Sequence, residues 1–251
     1  MTTDDLDAAK PAVERRRRQR PLWQEFLVIV VVATGLAIIV KTLLLQAFYI
    51  PSESMEPGLV RNDRILVQKV SYELGGSPER GDVVVFKDPG DWLPAEEAAG
   101  PTGSLPQLME RIGLYPSGGH LVKRVIGVAG DTIKCCDAKG RVMVNGVALD
   151  EKDYARKGNG AACFGPMIGC NWEVGPVPEG TIFVMGDNRS HSADSTVHIC
   201  RDGESDCVAG GEFVPVDLVV GKVFVLLWPR QHFSWLHRPD SFADVPDAAS
   251  P

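Results

Sequence analysis

From Phe26 to Leu45 the chain reads FLVIVVVATGLAIIVKTLLL, an apolar run in which Lys41 is the only charge. As a helix rising about 1.5 Å per residue it would span about 30 Å, the hydrocarbon thickness of a bilayer, with Lys41 near enough to the far end to snorkel outward. Beyond residue 48 the pattern changes to short β-branched runs: Arg64–Val70, Asp82–Phe86, Leu121–Gly127, Val142–Val144, Thr181–Met185 and Gly221–Trp228. Gly, Pro, Asp and Asn punctuate them, which predicts strands in antiparallel sheets. The expected fold is mainly β, with a single N-terminal transmembrane helix ahead of an antiparallel β-sheet domain that carries loop insertions. In a strand, Leu121, Lys123 and Val125 share one face and Val122, Arg124 and Ile126 the other, so Lys123 emerges between apolar neighbours.

Pro89 to His120 and Asp150 to Trp172 read as surface insertions, the first with a short helix near 105–112, and the Pro-rich stretch 238–251 reads as a disordered tail. The chain thus divides into a basic tail (1–22), an anchor (23–48), an extracytoplasmic domain (49–237) and the C-terminal tail (238–251). Its 251 residues suffice, after the tails are removed, for one catalytic-sized domain or two intimately joined β subdomains. The net charge of -7 is unevenly spread, with Arg15, Arg16, Arg17, Arg18 and Arg20 crowded ahead of the apolar run. By the positive-inside rule that cluster puts the N-terminus in the cytoplasm and the rest outside; it reads as a topology signal, not as a nucleic-acid patch. A cleaved secretory signal has the same polarity, but the apolar run is longer than a signal's. The nearest cleavage-like stretch, Leu45-Gln46-Ala47, also has a large residue where a small one is needed. Trp228, Phe233 and Trp235 suit either an interfacial layer or, for Trp228, core packing.

All six cysteines follow the apolar run. Cys163/Cys170 and Cys200/Cys207 each enclose six residues, which suits small disulfide-clamped loops in an oxidising compartment. Cys135-Cys136 could pair vicinally or elsewhere. The spacing does not suit zinc, and no metal or organic cofactor is expected.

Ser54 lies in the proline-bracketed run Ile50-Pro51-Ser52-Glu53-Ser54-Met55-Glu56-Pro57 directly after the apolar segment. A serine nucleophile needs a base, usually histidine. None of His120, His191, His198, His232 and His237 sits in a triad-like setting, no G-x-S-x-G elbow surrounds Ser54, and Pro57 occupies the lysine position of a Ser-x-x-Lys motif. A lysine whose amine is kept neutral by a dry setting can serve instead, and Lys123 is placed for that. On pattern alone Lys123 also fits an edge-strand lysine, Ser52 and Ser192 fit turn caps, and Ile50, Met55, Leu59 and Val122 fit plain core positions.

Four motifs in order behind the apolar run resemble the bacterial type I signal peptidases, membrane-bound Ser-Lys endopeptidases. They are Pro51-Ser52-Glu53-Ser54-Met55-Glu56-Pro57, Arg80-Gly81-Asp82-Val83-Val84-Val85-Phe86, Val122-Lys123-Arg124-Val125-Ile126-Gly127 with Gly130-Asp131, and Gly186-Asp187-Asn188-Arg189-Ser190-His191-Ser192-Ala193-Asp194-Ser195. The resemblance implies Ser54 as nucleophile, Lys123 as general base, the Ser54 N–H and Ser52 hydroxyl as oxyanion hole, and Ser192 as the hydroxyl orienting the lysine amine. It implies Arg124, Asp187 and Asp194 as structural support, and Ile50, Met55, Leu59 and Val122 as shallow pockets that admit only the small residues of an Ala-x-Ala site. The implied partners are signal-peptide-bearing preproteins and the lipid bilayer of the plasma membrane, near the export machinery, with no nucleic acid. Asp194 in that family faces an arginine two residues on; here Thr196 stands there, so one ion pair is missing and the rigidity of this loop is in question, and Thr196→Arg is expected to add modest stability if the site is partly buried. A self-cleaving Ser-Lys repressor of related fold would carry a DNA-binding module in place of the anchor. An inactive scaffold would have no reason to keep Ser54, Lys123, Ser52 and Ser192 together.

Overall fold

The computed structural model describes residues 21–39, 44–73, 75–90, 92–98, 103–106, 118–156, 171–200 and 207–248. The chain divides into two units at residues 39 and 40. The first contains helix α1 (Leu22–Ile39), whose apolar side chains from Leu22 to Leu36 are largely exposed. Among the described residues no helix is long and apolar enough to cross a membrane. The expected span also includes residues 40–43, outside the described residues. Its far end is not helical: Leu45–Tyr49 forms strand β1, paired with β2 (Arg64–Gln68) from Leu45↔Gln68 to Tyr49↔Arg64. In Leu45-Gln46-Ala47-Phe48-Tyr49 the backbone groups are satisfied by the β2 ladder, and Phe48 is buried against Ile65 and Val67; this cross-strand packing overrides the helical reading.

The second unit is built on an eight-stranded antiparallel sheet in the order β1-β2-β11-β3-β4-β9-β10, with β3 at Val83–Lys87, β4 at His120–Val128, β9 at Thr181–Met185, β10 at Val214–Pro215 and β11 at Val219–Trp228. Strand β12 (Ser234–Trp235) pairs with β11. A smaller sheet has the order β7-β6-β5-β8, from β5 (Ile133–Cys135), β6 (Met143–Val144), β7 (Val147–Ala148) and β8 (Trp172–Val174). The six runs expected from the sequence contain strands, Val142–Val144 supplying the two-residue β6; the other pieces of two or three residues, β5, β7, β8, β10 and β12, carry too little periodicity to be read. Strand β3 is covered on both faces. Val83 and Val85 pack with Ile50, Met55 and Leu59, while Val84 and Phe86 pack with Trp92, Leu121 and Val125.

Strand β4 obeys the same alternation, Leu121 and Val125 joining the second cluster while Val122 rests on the first. That places Lys123 on the Leu121 face, as its position in the run implies.

Residues 238–248, expected in a disordered tail, are packed. Phe242 and Val245 enter the core beneath the small sheet, and Arg238 pairs with Asp82 and Glu79. Two apolar side chains and one paired arginine outweigh the Pro-rich composition on which the tail was read. Gly81, at φ +86, leaves room for Phe242, whose ring lies 3.0 Å from where a Cβ would stand. Cys200 and Cys207 are joined, with Cα atoms 5.5 Å apart, and Cys135 with Cys136. The Cys163/Cys170 pair and most of the helix expected near 105–112 lie outside the described residues.

Candidate active site

The turn after β1 is closed on itself before any catalytic question arises. Ile50 N–H donates to Asp63 O and Asn62 N–H to Ile50 O, both at 2.9 Å, and the buried Asp63 carboxylate accepts from Val60 N–H and meets His232 Nδ1. Inside this loop Ser54 is 7% exposed. Its carbonyl accepts from Asn188 N–H at 2.9 Å, and Asn188 Nδ2 donates to Glu53 O at 3.0 Å. Asn188, to which sequence reasoning gave no role, thus joins the serine turn to the loop after β9.

From β4, Lys123 Nζ reaches Ser54 Oγ at 2.9 Å. The amine is buried, and burial lowers its pKa from the model-compound range to about 8, against the carboxylates of Asp194 and then Asp187, which pull it back up. Ser52 Oγ lies 3.2 Å from Ser54 Oγ. Among the described residues the hydrogen bonds of Ser54 Oγ run to Lys123 and Ser52, and none to a histidine.

Beneath the lysine, Arg124 holds Asp187 in a buried fork, Nε to Oδ1 at 2.7 Å and Nη2 to Oδ2 at 2.6 Å, donates to Gly81 O, and stacks on the Tyr154 ring. Asp194 is 2% exposed and accepts four hydrogen bonds, from Ser192 Oγ (2.6 Å), Thr196 Oγ1 (2.7 Å), Gly186 N–H (2.8 Å) and Thr196 N–H (3.1 Å). Ser192 therefore spends its proton on Asp194 and bears on Lys123 through that carboxylate; it makes no hydrogen bond to the amine itself. Gly186 is required by close approach. A Cβ there would stand 2.1 Å from Ser192 Oγ and 2.6 Å from Ser54 O. Arg189 and Glu151, both buried, form a further ion pair at 2.6 Å, and Arg189 Nε donates to Gly186 O. The motif contains Gly186 and Arg189, but the distant Glu151 gives no local signal.

The loop whose rigidity the missing arginine put in question is closed: the hydroxyl and N–H of Thr196 donate to the Asp194 carboxylate, and Asp194 thereby caps the one-turn 3-10 helix Ser195–Val197. Thr196 is 1% exposed, so an arginine there must displace packed neighbours. The expected gain from Thr196→Arg is withdrawn; the substitution should destabilise by about 1–3 kcal/mol through overpacking, roughly 2–4 °C of melting temperature per kcal/mol. A differential scanning calorimetry trace shifted upward would show that the loop has room to rebuild the ion pair.

Ser54 and Lys123 open onto a cavity of about 660 Å³. Ile50, Met55 and Val122 line it, whereas Leu59 packs beneath Met55 in the core and is not part of the lining. Trp92, Leu93 and His191, none assigned a role from sequence, line it too.

The family model for signal peptidase, peptidase S26, matches residues 23–228. The chain belongs to that family. It is similar to a probable signal peptidase I of Mycobacterium leprae, 37% identical over 86% of this chain and 80% of that protein. A signal peptidase I of Mycobacterium tuberculosis is 38% identical over 90% and 79%, and one of Leptolyngbya laminosa 30% identical over 96% of each. This S26 peptidase is accordingly a serine hydrolase of peptide bonds whose family removes signal peptides, and the family is generally membrane-associated.

Proposed function

We propose that this signal peptidase cuts through a Ser54 acyl-enzyme with Lys123 as its general base, after signal peptides ending Ala-x-Ala. The observation that carries the reading is the 2.9 Å line between Nζ and Oγ with the amine buried. Neutral Lys123 takes the Ser54 proton as Oγ attacks the scissile carbonyl. The oxyanion meets the Ser54 N–H and the Ser52 hydroxyl; the tetrahedral adduct collapses, and the Lys123 ammonium protonates the leaving amine. Neutral again, Lys123 deprotonates the water that attacks the ester and frees Ser54.

Ile50, Met55 and Val122 supply a shallow apolar wall, which favours small side chains at the first and third positions before the cut by excluding larger ones. Arg124, Asp187 and Asp194 hold the strand and loop that carry the dyad. The membrane topology belongs to the same proposal: a single pass with the N-terminus in the cytoplasm, an anchor ending before β1, and the peptidase domain (from about residue 45, and including the packed 238–248) outside at the plasma membrane. It rests on the arginine cluster and on α1, apolar all round with no polar face to offer water. The exposed rings of Trp228, Phe233 and Trp235 suit the interfacial layer, and with Trp228 52% exposed its core alternative falls away.

Incubation of the purified chain in detergent with a preprotein, followed by mass mapping of the products, tests the reading. One cut directly after Ala-x-Ala supports it; a cut elsewhere, or none, removes the specificity claim.

A further inference from the structure

The cavity has two walls of different origin. Ile50 and Met55, with Val122, belong to one core cluster; Trp92 and Leu121 belong to the other, across β4. Because neighbouring side chains of β4 point to opposite faces, Val122 faces one wall and Leu121 the other, with Lys123 on the Leu121 side. An extended substrate lying along this cavity obeys the same alternation. If its first and third residues before the cut turn toward Ile50, Met55 and Val122, the residue between them turns toward Trp92 and Leu121.

Trp92 is held as a fixed surface. Its ring stacks face to face on His198, centroids 4.4 Å apart at 8°, and meets Phe86 edge-on at 6.0 Å. The Asp88 carboxylate accepts from Trp92 N–H and Leu93 N–H, both at 3.2 Å, which pins the loop that brings the ring to the cavity. The wall is apolar and aromatic, and His198 lies two residues before Cys200 of the Cys200–Cys207 bridge. Trp92 is 7% exposed, part of the core cluster with Phe86 and Leu121, and presents the remainder of its surface to the cavity that holds the nucleophile.

We propose that Trp92 is a specificity-determining residue that reads the middle position of the Ala-x-Ala site, favouring an apolar side chain there over glycine or aspartate. This rests on the proposed placement of the substrate in the Ser54–Lys123 cavity. Contact of one leucine side chain with such a wall is worth on the order of tenfold in kcat/KM.

The test is a peptide panel, Ala-Leu-Ala, Ala-Phe-Ala, Ala-Gly-Ala and Ala-Asp-Ala before the cut, assayed with the detergent-solubilised full chain and with Trp92→Ala and Trp92→Phe. Wild type should prefer leucine over glycine by about tenfold, Trp92→Ala should bring that ratio to near one, and Trp92→Phe should retain most of it. Two further peptides, with valine in place of either alanine, should be cut more slowly than their alanine parents by the same factor in all three proteins. If wild type cuts none of the peptides after the second alanine, the substrate placement itself fails. If wild type cuts them and the leucine-to-glycine ratio is the same in the folded Trp92→Ala, or only the first and third positions relax, the role of Trp92 is overturned while the placement survives. Trp92→Phe keeps the question open to an answer if the alanine variant does not fold.

Discussion

Ser54→Ala and Lys123→Met should each lower preprotein cleavage by about 10⁴-fold or more while leaving the domain folded, and the double variant should be no worse than either single one. The non-additivity follows from the geometry. With Nζ and Oγ 2.9 Å apart, the hydroxyl is useless without the amine and the amine has no proton to take without the hydroxyl. The two variants should differ in stability. Burial lowers the folded-state pKa of Lys123 to about 8, so between that value and the ordinary lysine value of 10.5 the unfolded chain binds more protons and stability rises with pH. Below about pH 8 the folded state carries the whole desolvation cost of the ammonium. Lys123→Met should therefore be more stable than wild type at pH 7, by on the order of 1–2 kcal/mol, with the advantage fading toward pH 10 and above. Urea denaturation at pH 7 and pH 10 measures it; a Lys123→Met protein less stable than wild type at pH 7 would mean that the carboxylates of Asp194 and Asp187 need the ammonium more than burial disfavours it.

What the sequence conveyed and what it withheld divide along a physical line. The central strands were legible because they bury both faces and keep a strong β-branched pattern, as Val83–Phe86 and Thr181–Met185 do. Strand β1 was not. Its residues continue an apolar run that suits a helix equally, and only pairing with β2, the next strand beyond the serine turn, decides. The tail beyond Arg238 failed for the same reason, since the binding site for Phe242 and Val245 is made by distant strands. At the site, the dyad and the Arg124–Asp187 fork fell within recognisable motifs, and the structure brings those residues together. The consequences of Thr196 and the ion pair of Arg189 with Glu151 did not, because each depends on which buried polar groups are neighbours in space, and local pattern carries no trace of that. Ser192 lies in the same position: the motif names the residue, but the direction of its hydroxyl, to Asp194, is a property of the packed loop.

The pH dependence of cleavage separates a lysine base from a histidine base. If neutral Lys123 is the reactive form of the free enzyme, kcat/KM rises tenfold per pH unit below the amine's pKa and levels off above it, with the sign set by deprotonation of a cation. Burial brings that pKa to about 8, well above the unperturbed histidine value of about 6.5. Of the five histidines, His232 is bonded to Asp63, His198 is stacked on Trp92, His120 packs against Phe48, and none bonds Ser54 Oγ.

The measurement is therefore the kcat/KM profile from pH 5 to 10 on an Ala-x-Ala substrate for wild type and for His120→Ala, His191→Ala, His198→Ala, His232→Ala and His237→Ala. A lysine base gives a rising limb centred at about 8 in all six proteins, whatever their absolute rates. A limb centred near the histidine value, or one that disappears in a single folded histidine variant, would contradict it and transfer the base from Lys123 to that histidine.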